Sequence, residues 1–474
     1  MACVVIAGAG IASLATAMLL AEDGHEVTVL ERDPQPPTDP GRAWASWERR
    51  GVNQFRLPHL FVSRFRVELE QELPRAVTAL DEAGTLRFNP LDLLPGQSAG
   101  DRREGDSEYE MLTGRRPVVE AVMASLAEST PGVILRRGVA VSGLLTRDSR
   151  ADEAAGAVQV TGVRTSAGEE LTADLVVDAT GRRSGLARWL RDCGSAPVHD
   201  EAEDSGFVYY CRHFGAKGAA LPAMLGPGMQ EHGSVSSLTL PADNGTWAVV
   251  IVASAADRDL RGLRDAGRWS ASVRAMPLIA HWIDAEPLSD QVAVIANIKD
   301  RHRSLVVDGQ PVAVGVVALA DAWACTNPSL GRGVSLGVMH GRVLRDTLRK
   351  SDPGDAPRFA LDFHHATVTG MEPWYRATLH YDRHRLAEMD AEARGQAYEP
   401  GDPEWEAIRS LQFGARKDPG LLRCNLAIIN TLRTPAEVLA EPGIRARATA
   451  LGGSWRTGRL PGPDRAELTA IAAS

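Results

Sequence analysis

From Ala2 to Ala21 the chain carries no charged side chain, and Gly8, Ala9 and Gly10 break this run into shorter units. "CVVIAG" is a short apolar stretch of the kind that forms a strand buried on both faces. "LATAMLLAED" is rich in alanine and leucine and predicts a helix, which Gly24 ends. "HEVTVLE" is β-branched and predicts a second strand. The run is long enough to raise a membrane span or an export signal. It has no basic residues before it and no polar spacer with a small-residue cleavage site after it. No other stretch approaches membrane length, so the reading is strand, tight turn, helix, strand, with no integral membrane segment.

The same pattern returns twice. "ADLVVDATG" predicts a buried strand that runs into the helix "RRSGLARWL". "VAVGVVALADAWACTNPSLGRGVSLGVMHGRVLRDTL" predicts an apolar strand, a Pro-containing loop and a long helix. Between them "GFVYYCRHF", "SVSSLTLPA" and "TWAVVIVAS" are β-rich, and Asp243–Asn244–Gly245 is a hairpin signal. "PGQSAGDRREGDSE" is polar and Gly-rich, an exposed loop over 95–107 and a candidate lid. "SDPGDAP" marks the boundary to a mostly helical C-terminal part, and the chain shows neither an internal repeat nor a low-complexity tail.

Composition works by exclusion. With 474 residues, two or three domains are expected. A net charge of −9 disfavours a phosphate backbone, so no nucleic-acid partner is expected. The five cysteines include no C-x-x-C pair, which argues against a disulfide framework and a zinc site and fits a reducing cytoplasm. No metal site is expected.

The chemistry sits in the turns. Gly8 permits the tight turn after the first strand, and Gly10 lets backbone approach a pyrophosphate at the N-terminus of the helix that Ile11, Ala12 and Ser13 open. Ser13 stands where the third glycine of G-x-G-x-x-G would be. Glu31 ends the second strand, followed by Arg32, where a carboxylate accepts bonds from ribose hydroxyls. Asp321 lies just past a strand end, placed for a ribityl or ribose hydroxyl. The first signature alone does not separate NAD from FAD.

Together the three stretches resemble the flavoprotein monooxygenases of the para-hydroxybenzoate hydroxylase superfamily. The second stretch matches through Asp178, Gly181, Ser184 and Arg188. The third matches through Asp321, Ala322, Pro328, Gly331 and Gly333, with Ala320 where that family has glycine. "ERRGVNQFRLPHL" looks like a segment of squalene-epoxidase-like and polyether-epoxidase flavoenzymes, with Asn53 and Leu57 departing from it. By resemblance Arg50 and Gln54 lie near the flavin, with His59 as a hydrogen-bond or proton partner. Arg116 opens a helix beside the FAD phosphates. Arg42, Val141, Arg332 and Val334 complete the expected cofactor set. Trp323, Thr326, Asn327 and Pro328 border the flavin's reactive side.

The resemblance implies an α/β chain, α+β overall. It has a discontinuous Rossmann-like FAD domain (1–62, 108–190 and 296–352), a β-rich substrate domain (63–107 and 191–295) and a helical C-terminal region (353–474). It also implies bound FAD, transient NAD(P)H, O₂ and a C4a-hydroperoxyflavin that epoxidises or hydroxylates a hydrophobic small molecule, a polyketide or terpenoid intermediate. The chain is expected to be a cytoplasmic monomer or homodimer. No second strand–GxGxxG–helix unit is found, which counts against two-dinucleotide flavoenzymes. The alternatives are a cyclase with structural FAD and a reductase of prenyl double bonds. The W-x-W-x-I-P stretch of flavin halogenases is absent. Tyr209, Tyr210, Arg212 and His213 lie on a predicted strand whose alternate residues share a face, and with Trp323 they are the substrate candidates.

Overall fold

The computed structural model describes residues 1–93, 99–147, 157–216 and 220–474. Along the chain the elements that build the site are Cys3–Ala7 (β1), Ile11–Glu22 (α1), Glu26–Glu31 (β2), Arg116–Ser129 (α2), Val133–Arg137 (β3), Leu175–Asp178 (β4), Phe207–Gly215 (β5), Met229–His232 (β6), Val235–Pro241 (β7), Thr246–Ser254 (β8), Val316–Ala318 (β9), Gly333–Leu348 (α3), Glu372–Ala393 (α4), Pro403–Gly414 (α5) and Pro419–Ile429 (α6). Residues 95–98 of the candidate lid lie outside the described residues.

β9, β4, β1, β2 and β3 form a parallel sheet in that order. Ala7 pairs with both Leu30 and Asp178, and Asp178 with Ala318, so four strands end along one edge. The chain leaves β1 toward β2 and later returns as β4 on the other side, which opens a crevice at the carboxyl end of β1. This is the mixed α/β, Rossmann-like architecture the apolar runs predict.

α1 is buried along most of its length because its side chains are small. α3 packs directly on it. A Cβ at Gly337 would come 2.7 Å from the Ala12 Cβ, and one at Gly341 would collide with the Thr16 hydroxyl. Both contacts keep the same offset along the two helices, so α1 and α3 run parallel and start at the same end. Ser63–Glu72 and Pro74–Glu82, expected within the substrate domain, are helices whose Phe65, Leu69, Val77 and Leu80 join the apolar cluster of α1.

The second sheet is antiparallel, in the order β6, β7, β8, β5, with Glu286–Pro287 and Ala293–Ile295 pairing the free edge of β5. Both of its faces are covered. Tyr210, Phe214, Trp247 and Ile251 pack against Trp269 and Trp282 on one side. Tyr209, Cys211, Val250 and Val252 pack with Ile298 and Met389 on the other. The predicted hairpin is present, with Asn244 and Gly245 at positive φ (51° and 69°). Its tip docks on the start of α2, where the buried Asp243 carboxylate accepts bonds from the Arg115 backbone N–H at 2.5 Å and its guanidinium at 2.6 Å.

The parallel contact of α1 and α3 yields a direct test. Gly341→Ala is expected to cost about 1–3 kcal/mol by overpacking. Thr16→Ala in the same chain should recover part of that loss, and urea midpoints of the single and double variants measure both.

Candidate functional site

At the common strand edge a cleft of about 1010 Å³ begins, and it extends to the second sheet and the C-terminal helices. Gly8, at φ +101°, makes the turn out of β1, and a Cβ there would lie 2.5 Å from the Ala179 carbonyl oxygen. No other residue fits that position without strain. Gly10, Ile11, Ala12 and Ser13 line the cleft. The Ser13 hydroxyl donates to the Gly10 carbonyl at 2.9 Å, so serine folds back onto its own turn and is compatible with the packing. α1 and α3 both start at the cleft without a side-chain cap among the described residues. Their free N–H groups and aligned dipoles leave positive potential there.

The loop before α3 is strained. Ala320 sits at φ +52°, the left-handed region that glycine occupies more readily. Its N–H donates to His340 Nδ1 at 3.1 Å, and His340 Nε2 lies 3.1 Å from the Thr367 hydroxyl. Burial pushes the His340 pKa down to about 3, so the ring is neutral and can accept that bond. Asp321 lines the cleft beyond this turn. Burial raises its pKa, opposed by the charges of Arg182 and Arg116.

Four charged side chains form a buried chain beside the cleft. Glu120, fully buried on α2, pairs with Arg116 at 3.0 Å and with Arg49. Arg49 also pairs with Glu31 and donates to the Ala9 carbonyl at 3.0 Å. Glu31 accepts from the backbone N–H of Ala9 at 2.8 Å and of Asp33 at 2.9 Å. His59 is held neutral: burial first, then the Arg116 charge, push its pKa down to about 3. Its Nδ1 lies 2.8 Å from the Leu57 carbonyl, which assigns the proton there. Its Nε2 then accepts from Arg116 at 3.3 Å.

Elsewhere along the cleft the loop Asn327–Pro328–Ser329 rests on a buried polar network. Tyr209 donates to Asn327 at 2.7 Å. Asn327 takes a 2.5 Å bond from its N–H to Asp300 and a 3.3 Å bond from its amide to Asp382, which also accepts from Ser329 at 2.6 Å. Burial pushes the Asp382 carboxyl up to about 8. The rest of the wall is mostly apolar, with Leu238 and Leu240 from β7, Val294 and Ile295, and Leu422, Leu426 and Ile429 from α6, and it also carries Arg301, Arg409 and Gln412.

Of the sequence-derived candidates, Gln54, His59, Arg116, Gly181, Trp323, Pro328, Gly331, Gly333 and Val334 also line the cleft. Several of the remaining candidates lie outside the cleft. Arg32, Arg42 and Arg50 are exposed and outside it. Trp47 and Arg49 are buried, and Glu48 and Arg50 are exposed. The Asp178 carboxylate is taken up by Thr180 at 2.6 Å and by Ser184, and so closes its own turn. Val141 packs half-buried in an apolar cluster outside the cleft. Arg332 turns away to the Ile428 carbonyl at 3.1 Å and over Trp374. Tyr209 serves the loop network, Tyr210 faces the opposite core, and Arg212 reaches Ser270 and the Trp269 ring. His213 is buried against Trp44. Arg49, Glu120, His340 and Asp382 were missed. The Arg116/Glu120 spacing of four was the available signal.

Residues 3–342 match the FAD dependent oxidoreductase family, and the chain belongs to it. It is 24% identical over 411 residues to Protein Rv3254 of Mycobacterium tuberculosis, spanning 78% of this chain and 83% of that one. PqsL of Pseudomonas aeruginosa, named a probable FAD-dependent monooxygenase, shares the fold at a TM-score of 0.60 and 17% identity, over 83% of this chain and 98% of its own. PyrE3, a Diels-Alderase in the biosynthetic pathway of pyrroindomycins, shares it at 0.54 and 16%, over 91% and 81%. Among the described residues no helix is long and apolar enough to cross a membrane.

The cleft fits FAD. Among the described residues a Cβ at Gly333 would meet no atom within 4 Å, and one at Gly10 would meet only the Ser13 hydroxyl, at 3.9 Å. The turn is therefore open on the side where a pyrophosphate approaches. Arg182 lines the cleft, and its buried Nε has no hydrogen-bond partner among the described residues. A cation with a free donor at this edge matches an anionic dinucleotide.

Glu120→Gln is expected to leave Arg116 without its carboxylate partner and Arg49 with Glu31 and Asp33 alone. Stability should fall by about 3 kcal/mol, and FAD should be held more weakly, as urea denaturation and flavin titration would read. For Asp382 the folded pKa of about 8 lies above the unfolded value. Its contribution is fully present below about pH 4 and is lost as pH rises toward 8. Asp382→Asn, which cannot ionise, should therefore gain stability relative to the parent between pH 5 and pH 8. A constant gap between the two denaturation midpoints would refute this.

Proposed function

We propose that this protein is an NAD(P)H-using, FAD-dependent monooxygenase that hydroxylates or epoxidises a hydrophobic small molecule, of polyketide or terpenoid type. The observation that carries this reading is the continuity of the cleft. A single space joins the glycine-lined edge and its arginines to an apolar room bounded by β7, Val294–Ile295 and α6.

Bound FAD would supply the redox chemistry, taking a hydride from NAD(P)H and passing one oxygen atom of O₂ to substrate while the other leaves as water. The chain's own residues do the rest. The starts of α1 and α3 bind negative charge through backbone N–H groups. Arg116, fixed by Glu120 and His59, presents a cation at the cleft wall. Asp321 offers hydrogen-bond acceptors to hydroxyl groups. Trp323 and Pro328 also line the cleft, and the leucine and isoleucine walls of the apolar room would hold the substrate and exclude water.

Turnover under ¹⁸O₂ with NADPH and a panel of polyketide and terpenoid candidates tests the proposal. The expected product is two mass units heavier than that formed under ¹⁶O₂, with one NADPH consumed per product. Unlabelled product without NADPH consumption would instead fit a cyclase with structural FAD. A product two units heavier than substrate with no oxygen gained would fit a double-bond reductase. Either result overturns the monooxygenase reading.

A further inference from the structure

Outside the cleft, α4 and the start of α5 bring together two imidazoles and a carboxylate. His380 and His384 stand four residues apart on one face of α4. His380 Nε2 lies 2.9 Å and His384 Nε2 3.1 Å from the same oxygen, Oδ2 of Asp402. The three potential ligand atoms all lie within 4.8 Å of one another, and all three side chains are half-buried.

Their orientations are fixed by other partners. Asp402 caps α5, with Oδ1 accepting from the N–H of Glu404 at 2.8 Å and of Trp405 at 3.3 Å. That leaves Oδ2 directed at the histidines. His384 Nδ1 lies 2.7 Å from the Tyr398 hydroxyl, and its ring stacks on the fully buried Trp405 at 4.8 Å. A metal-binding imidazole is normally fixed in this way, through its second nitrogen. Two imidazole nitrogens and one carboxylate oxygen are ligands that zinc-class divalent ions take, and the partial exposure leaves room for water to complete the coordination.

We propose that His380, His384 and Asp402 form a binding site for a divalent transition-metal ion of the zinc class, which clamps α4 to the start of α5. The consequence reaches the cleft through the two helices. Two residues before His384, α4 carries Asp382 and its bond to the Ser329 loop. Further along α5, Arg409 and Gln412 line the cleft wall. A bound ion would hold these two supports at a fixed separation. The inference is independent of the proposed reaction.

The test uses the full FAD-loaded chain, free of any histidine tag, washed with chelator and dialysed against Zn²⁺, with metal content read by elemental analysis. One retained zinc per chain is expected. Asp402→Asn keeps an N-cap residue but weakens the ligand set, and His380→Ala removes one ligand. Each should lower the zinc affinity by about tenfold or more, measured by competition with a chromophoric chelator. His380→Ala with His384→Gln should abolish retention, with circular dichroism and FAD content confirming that the variants are folded. Failure of the parent chain to retain zinc, or equal retention by parent and double variant, overturns the proposal.

Discussion

The close contact of α1 with α3 is the constraint from which the site follows. Two helices can approach this tightly only where one lacks side chains, and Gly337 and Gly341 face Ala12 and Thr16 for that reason. Because the helices run parallel, their N-termini open side by side at the edge where β4, β1 and β2 end. The positive ends of two dipoles then add at one place, where one helix would offer about half an elementary charge. The same geometry brings His340 of α3 beneath Ala320 and holds the left-handed turn that aims Asp321 into the cleft.

Around this edge the structure buries charge at a cost. Glu120 and Arg49 are almost wholly removed from water, and an ion pair so placed gains little net stability over apolar residues of the same size. What the arrangement secures is position. Arg49 is tied to Glu31 and the Ala9 carbonyl, and Arg116 is tied to Glu120 and His59. Neither guanidinium is free to turn to solvent, so each stays at the sheet edge. The neutral state of His59 contributes, because a protonated ring would repel Arg116 rather than accept its N–H.

The parts legible in the sequence were those whose cause is local. A strand, a glycine turn and a helix are contiguous, and the hairpin at Asp243–Gly245 announces itself by residues that tolerate positive φ. The substrate strand was not legible for an equally physical reason. Alternation identifies a face only when one side meets water, and β5 is buried on both, so Tyr209 and Tyr210 look alike in sequence yet enter different cores. Arg49 was missed because nothing in the sequence says which of the adjacent Arg49 and Arg50 is buried. His340 and Asp382 act across long separations, on Ala320 and on the 327–329 loop, and no spacing rule connects them.

The two ends of the cleft are built in different ways. The FAD edge is drawn from three strand–turn–helix units whose geometry the parallel sheet fixes. The far wall is drawn from β7, the segment around Ile295 and α6, which belong to different layers and meet only in the folded chain. Asn327 joins the two ends: its side chain and backbone bond to Tyr209 of β5, to Asp300 and to Asp382 of α4, and the loop it occupies leads into α3. A substitution in the far wall therefore has two routes of effect. It can change the shape of the room directly, or it can shift β5 or α4 and move the 327–329 loop at the start of α3. The second route links the far wall to the geometry of the start of α3 without any contact between them.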